Sequence, residues 1–287
     1  MESRNREKKR KRREILEKKK AIDESLKAAS AHKDHLTAFP SFRQYERNGL
    51  SVHLESGCGD KLSSAEKQYI LNLLKANMEG PYGSEWPAEE KVKRREMVAS
   101  EARYIFAREL DAPSASASEM SKTNFAESKG SIVGFVHFRF CLEEDVPVLY
   151  VYELQLESRV QGKGLGKFLM QLIELIARKN RMGAVVLTVQ KANLLAMNFY
   201  LSKLRYVVSS ISPSRVDPFT GVEKSYEILC KGKLQSKLAS TKHHCHLPGL
   251  EEALLHAIFY LGIVLGTWDI NDSGGLKSTL PSLFSPV

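Results

Sequence analysis

The sequence predicts an α/β (α+β) fold: a mixed central sheet flanked by helices, with an added helical segment at the N-terminus. Three observations carry that prediction. Between residues 132 and 230 the pattern runs strand, strand, helix, strand, helix, strand. Direct strand connections make antiparallel pairs, and a helical crossover makes a parallel one. Leu165, Phe168, Leu169, Leu172, Ile173 and Ile176 form a single apolar stripe at helical period. Residues 132–140 and 148–156 are dense in Val, Leu, Phe and Tyr, the side chains that fill pleated surfaces. The 287 residues are 43% hydrophobic and 27% charged, a balance that excludes collagen-like, wholly disordered and polytopic membrane chains.

The elements follow in order. Residues 1–35 are dominated by Glu, Lys, Arg, Ala and Leu, without Gly or Pro, and predict a helix. Only Ile15, Ile22 and Leu26 offer it apolar contacts, so its first turns gain little from packing. Phe39, Pro40 and Phe42, then Asn48 and Gly49, mark where the body begins. Residues 51–55 alternate as a short strand. Ala65, Tyr69, Leu73 and Ala76 set a helix over 64–78, and Gly80 and Pro81 predict its end. A second, strongly charged helix covers 89–100, and 104–108 and 132–140 are strands. The Ala/Ser-rich stretch 112–130 between them predicts a long mobile loop within a hairpin. Beyond the strand at 148–156 come the striped helix, a strand at 183–190, a helix at 193–204 and a closing strand at 224–230. The expected division is a basic helical segment at 1–35, one domain at 36–231 and an extension at 232–287.

Charge is concentrated at one end. Of a net +9, residues 1–20 hold eleven Lys/Arg and four Glu, a local +7. The run Lys8 to Arg13 reads either as a nuclear-import or nucleic-acid contact, or as a solvated helix face. The start of the chain lacks the apolar core of a secretory signal. Cys58, Cys141, Cys230 and Cys245 form no CxxC pair, so reduced thiols in nucleus or cytoplasm are expected. In the extension, residues 254–268 are apolar; as a helix they cover roughly 22 Å, short of the roughly 30 Å a membrane core needs. His243, His244, Cys245 and His246 lack a second ligand pair at zinc spacing. No metal is expected.

The chemistry centres on Gln161, Gly162, Lys163, Gly164, Leu165, Gly166 and Lys167, between a strand and the striped helix. The glycine spacing misses the dinucleotide fingerprint by one residue, and Phe168 stands where a Walker loop needs Ser or Thr. Read on its own, the bend is either an anion cradle at a helix start or a glycine cap.

The spacing of Gln161, Gly164 and Gly166 resembles the acyl-CoA diphosphate loop of the GNAT acetyltransferase family. Asn193, Ala196, Phe199 and Tyr200 on the next helix resemble that family's second cofactor-contacting segment. Phe39, Pro40, Tyr45, Arg47, Asn48, Gly49, Trp86, the run 137–140, the run 149–158 and the run 225–229 are similar to NatD-type N-α-acetyltransferases. These act on histone tails beginning Ser-Gly-Arg-Gly. The likeness covers roughly 5–230, leaving out 112–130 and 232–287.

The resemblance implies the GNAT fold, acetyl-CoA as co-substrate and roles for named residues. Glu153 is the expected base, directly or through water, and Tyr152 touches the substrate N-terminus. The backbone of Leu154, Gln155 and Leu156 takes the pantetheine arm. Gly162, Lys163, Gly164, Leu165, Gly166 and Lys167 take the diphosphate, and Asn193 bonds the cofactor or caps its helix. Tyr82, Trp86, Tyr150, Tyr152, Thr188 and Tyr226 shape the peptide mouth, where ordinary aromatic packing is the competing reading. Tyr200 is either a proton donor to the leaving thiolate or core. A regular strand puts Tyr150 and Tyr152 on one face and Glu153 on the other; the family's bulge would splay that pattern. Glu143, Glu144 and Asp145 could supply an acidic field for a substrate arginine. Two departures stand out: Cys141 replaces a family Asp, and Ile211 a family serine.

The expected activity is therefore transfer of acetyl from acetyl-CoA to the α-amine of protein N-termini, most of all histone tails. The competing readings are a GNAT enzyme acting on lysine or a small amine, or a non-enzymatic basic nucleic-acid binder. Residues 1–20 would make a weak nucleic-acid or chromatin contact, with no obligate partner subunit.

Overall fold

A computed structural model describes residues 2–110, 130–216 and 224–232, and the strand segments 268–270 and 276–278. Two compact units divide the chain, Met1–Ser240 and Thr241–Val287. The loop expected at 112–130 and the extension's apolar and His/Cys segments lie outside the described residues, apart from the ends of those stretches.

The first unit begins with helix α1 (Glu2–Ala31), then strands β1 (Gln44–Arg47) and β2 (Leu50–Cys58). Next come helices α2 (Ser64–Tyr82) and α3 (Trp86–Glu96) and strands β3 (Arg103–Glu109), β4 (Ile132–Glu143) and β5 (Val146–Leu156). Helix α4 (Leu165–Lys179), strand β6 (Ala184–Gln190) and the short helix α5 (Leu194–Asn198) follow. Strand β7 (Val207–Val208), helix α6 (Pro213–Val216) and strand β8 (Tyr226–Gly232) complete it. These strands form one sheet in the order β1-β2-β3-β4-β5-β6-β8-β7. Its pairs are antiparallel except β5 with β6, where α4 makes the crossover. In the second unit β9 (Trp268–Ile270) pairs antiparallel with β10 (Leu276–Ser278).

The striped helix behaves as its period demands. Leu165, Leu169, Leu172, Ile173 and Ile176 of α4 are wholly buried, in one core with Val136, Phe138, Leu149, Val151 and Leu187 from the sheet. Each such side chain contributes about 1.5–3 kcal/mol, enough to fix the crossover that places the glycine bend. The opposite face carries α2 and α3, where Leu71, Leu74 and Trp86 pack on Tyr104, Phe106 and Phe135.

Several boundaries moved. Asn48 (φ 55°) and Gly49 (φ 68°) are the two-residue turn of a β1–β2 hairpin, and β1 had no alternation to reveal it. Helix α2 opens on a capping box between Ser63 and Glu66 and runs through Pro81 to Tyr82, beyond the expected stop. Proline in a last turn removes a single helical bond, and Gly83 at φ 56° ends the helix. The helix expected over 193–204 splits into α5 and a π-turn at Phe199–Lys203.

Two irregularities shape the sheet's middle. The β4–β5 register shifts at His137/Phe138: Val151 faces Phe138 and Glu153 faces His137, so Tyr152 is the extra, bulged residue. The β5–β6 ladder ends at Val151 and Leu187, although β5 continues to Leu156 and β6 to Gln190. Beyond that point the strands part.

Candidate active site

The gap between the parted strands opens onto the start of α4. Gly162 (φ 73°) and Gly164 (φ 93°) bend the chain there through left-handed conformations. The Lys163 carbonyl accepts from Tyr45 Oη at 2.6 Å and Asn48 Nδ2 at 2.8 Å, which fixes the bend against the β1–β2 hairpin. Phe168 N–H is already bonded to the Gly164 carbonyl, so the donors of Leu165, Gly166 and Lys167 precede the first helical bond. They lie at the positive end of a 15-residue helix, with the Lys163 and Lys167 ammonium groups in the same bend. A Cβ built on Gly164 would lie 2.7 Å from Tyr45 Oη, while one on Gly162 would meet nothing. An open, cationic backbone cradle of this kind fits a diphosphate.

The expected arm-binding residues divide. Leu154 and Leu156 pack their side chains against the α4 core. Gln155 turns its side chain to the other face, accepting from Asn77 Nδ2 at 2.9 Å and donating to Glu153 Oε2 at 2.9 Å. The Leu156 carbonyl is already taken by Gln161 Nε2 (2.9 Å) and Asn77 Nδ2 (3.1 Å). Asn193 is an N-cap, its side chain accepting from Ala196 N–H at 3.1 Å. Tyr200 is 8% exposed against Phe199 and Tyr206, and burial raises its pKa. It is core.

At the bulge the regular alternation fails. Tyr152 stacks on His137 at 4.9 Å, while the adjacent Glu153 reaches Lys93 of α3, so both point to the α2/α3 face. Glu153 is 8% exposed, with Oε1 2.9 Å from Lys93 Nζ. Lys93 Nζ also lies 3.3 Å from Glu96 Oε2. Burial works against the ammonium, but the Glu153 and Glu96 carboxylates outweigh it and hold the Lys93 pKa well above its usual value. Two of the carboxylate's acceptor directions are thus occupied and two remain. Arg139 sits 4.4 Å over the Tyr152 ring and donates to the Glu96 carbonyl at 2.6 Å. Lys93, Glu96 and Arg139 therefore tie the end of α3 to the bulge.

The other expected mouth residues gather around it. Tyr150 is 5.3 Å from Tyr152, ring to ring, and its hydroxyl lies 2.5 Å from Thr188 Oγ1. Tyr82 lies near the side chain of Gln190, which pairs across the ladder with Tyr226. Trp86 is the correction. At 3% exposure it lies beneath Tyr82, ring centroids 6.0 Å apart, and packs as core.

Burial raises the pKa of Tyr82, Tyr150 and Tyr152, keeping them neutral donors, and burial with the nearby Arg139 and Lys93 cations keeps His137 neutral. The Cys141 thiol is pushed up to about 12, first by burial and then by Glu143. Burial also raises Glu89 and Glu143, the acidic groups on either side of the tyrosines. Lys93, Glu96, Arg139 and Gln190 were not foreseen. A lysine within a charged helix carries no spacing signal.

Comparison with known proteins agrees with this geometry. Residues 73–204, from within α2 to the π-turn, match the model of the Acetyltransferase (GNAT) family. Among solved structures, the PaiA N-acetyltransferase of Thermoplasma acidophilum in complex with coenzyme A is 17% identical. The match covers 62% of this chain and 98% of that one, with a TM-score of 0.40. The NatC complex bound to Gag peptide and CoA is 13% identical over 62% and 95%, with a TM-score of 0.39. For nourseothricin acetyltransferase the figures are 17%, 46% and 65%, with a TM-score of 0.33. Those likenesses are loose. It is the sequence match, falling on the parted strands, the bulge and the glycine bend, that makes residues 73–204 similar to the GNAT acetyltransferase family.

Proposed function

We propose that this protein is an N-α-acetyltransferase that takes acetyl-CoA as donor and protein N-termini as acceptors. Histone tails beginning Ser-Gly-Arg-Gly are the substrate class it fits best. The observation that carries the reading is the bulge that turns Glu153 and Tyr152 together onto the α2/α3 face, where the strands part. Acetyl-CoA, when bound, supplies an activated acetyl thioester. The bend at 162–167 binds its diphosphate, and the edge of β5 beyond Val151 lies alongside its arm.

Tyr82, Tyr150, Tyr152 and Tyr226 orient the incoming terminus and exclude water from it. A terminal amine has a pKa of about 7.7–8.0, so a fraction is neutral at cellular pH. Glu153, at the acceptor positions that Lys93 and Gln155 leave open, takes the proton the amine releases. Glu89 and Glu143 favour a basic third residue, and Cys141, a neutral thiol, makes the mouth less acidic than an Asp would. Nucleus and cytoplasm remain the expected compartments.

Mass spectrometry of a Ser-Gly-Arg-Gly peptide incubated with acetyl-CoA tests this. A single acetyl group on the free α-amine is expected, and none when that amine is blocked. Acetylation of lysine in the blocked peptide would replace this reading with the lysine one. Glu153→Gln should slow turnover about 100-fold or more while coenzyme A affinity holds; wild-type turnover would remove Glu153 from the mechanism.

A further inference from the structure

We propose that the exposed part of α1 is a docking surface for double-stranded DNA, bound through its phosphates. Residues 4–21 are exposed throughout. The helix meets the body only near its end, where Leu26 and Ala29 join the α4-side core and the Ser30 carbonyl accepts from Arg103. Eighteen consecutive helical residues without a packed face gain nothing from the fold.

Their acidic residues, Glu7, Glu14 and Glu17, lie on one side. Three cations are spent within the helix, in the pairs Lys11–Glu7 (2.8 Å), Arg13–Glu17 (3.0 Å) and Lys20–Glu24 (3.9 Å). Among the described residues Arg4, Arg6, Lys8, Lys9, Arg10, Arg12, Lys18 and Lys19 have no ion pair. At 100° per residue Arg4, Lys8, Arg12, Lys19 and Ile15 fall within a sector of about 80°; Glu7, Glu14, Glu17 and Glu24 lie about 100° or more from its centre, and Asp23, about 60° from it, falls beyond Lys19. The result is an acid-free cationic stripe about 22 Å long.

The occupant follows by chemistry. Residues 2–31 contain no aromatic side chain, so the base stacking that holds single strands is absent. Ile15 and Leu16 are the only large apolar side chains in 4–21, too few for a helix lying in a membrane surface. A basic peptide would be repelled. A duplex presents a dense row of phosphates and a major groove that admits an α-helix, as the basic helices of zipper proteins use it. The inference does not depend on the catalytic reading, since it concerns the opposite end of α1 from the sheet.

Fluorescence anisotropy of a labelled 20-base-pair duplex with the full chain, without peptide or acetyl donor, tests it. Four phosphate contacts predict a slope of about −3.6 in log affinity against log salt, roughly a 150-fold loss between 50 and 200 mM NaCl. Charge reversal of the stripe (Arg4→Glu, Lys8→Glu, Arg12→Glu, Lys19→Glu) should abolish binding. Reversal on the other side (Arg6→Glu, Arg10→Glu, Arg13→Glu) should leave the duplex bound with the same salt slope. Equal losses from both sets, or no binding at 50 mM, would overturn the proposal. So would single-stranded RNA or phosphatidylserine vesicles binding as tightly as the duplex.

Discussion

Lys93→Met isolates the interaction on which the bulge depends. The ammonium lies 2.9 Å from Glu153 and 3.3 Å from Glu96, with side-chain exposures of 14%, 8% and 26% for the three residues. Removing one partner of a buried ion pair costs about 3–5 kcal/mol, because the remaining charge is left uncompensated. The slight exposure of Lys93 and Glu96 favours the lower end, about 3 kcal/mol. For a unit of this size that lowers the melting temperature by about 6–12 °C. The pH dependence has a definite sign. The Lys93 pKa is raised above its ordinary 10.5 by the two carboxylates, so the stabilisation is complete below that value and is lost as pH rises beyond it. The gap in melting temperature between wild type and variant should stay constant between about pH 6 and pH 9, then close in stronger alkali. Turnover should suffer as well. Without Lys93 the Glu153 carboxylate loses the 2.9 Å contact that holds Oε1 in place; a fall in kcat/KM of about 100-fold is expected. Calorimetric melting of Lys93→Met, Glu153→Gln and the double variant completes the cycle, with a coupling of about 0.5–3 kcal/mol expected. Additive losses, or a Lys93→Met protein that melts and turns over as wild type does, would refute the argument.

Two further outcomes follow from the same geometry. Gly164→Val forces a branched side chain into φ 93° with its Cβ 2.7 Å from Tyr45 Oη, a strain of about 1–3 kcal/mol; calorimetry should find no coenzyme A binding, and unchanged affinity would take the bend out of the site. The Cys141 thiol, pushed up to about 12 chiefly by burial, should resist iodoacetamide at neutral pH, and rapid alkylation followed by peptide mapping would show that the mouth beside Tyr150 is more open than described.

The fold was largely legible because most of its elements carry an internal period. The stripe from Leu165 to Ile176 could be buried in only one way, and the strands flanking it could only pair across that crossover. What stayed hidden had no period to read. Four residues, Gln44–Arg47, become a strand because Asn48 and Gly49 turn the chain back on Leu50–Cys58. The expected stop at Gly80 and Pro81 failed for a related reason. Proline weakens a helix by one bond and a clash, and at the last turn little remains to break; the helix carries on until Gly83 takes a positive φ.

The site divides along the same line. Its backbone part, the glycine bend, is local: glycines permit left-handed conformations, and seven adjacent residues hold the whole feature. Its side-chain part is not. Alternation places Glu153 opposite Tyr152, and that inference fails because a bulge is a property of two strands in register, here His137 against Glu153. Lys93 is more distant still, sixty residues away on a helix whose exposed charges include Lys91, Arg94 and Arg95. Only the fold selects it from them, by bringing the end of α3 over β5. A lysine chosen this way has to be buried before it can matter. Once buried beside two carboxylates it cannot easily lose its proton, and the cation 2.9 Å from Glu153 Oε1 holds that carboxylate in place. The sequence thus specifies the glycine bend, whereas the placing of Glu153 depends on a contact that forms only when the sheet and α3 have already packed.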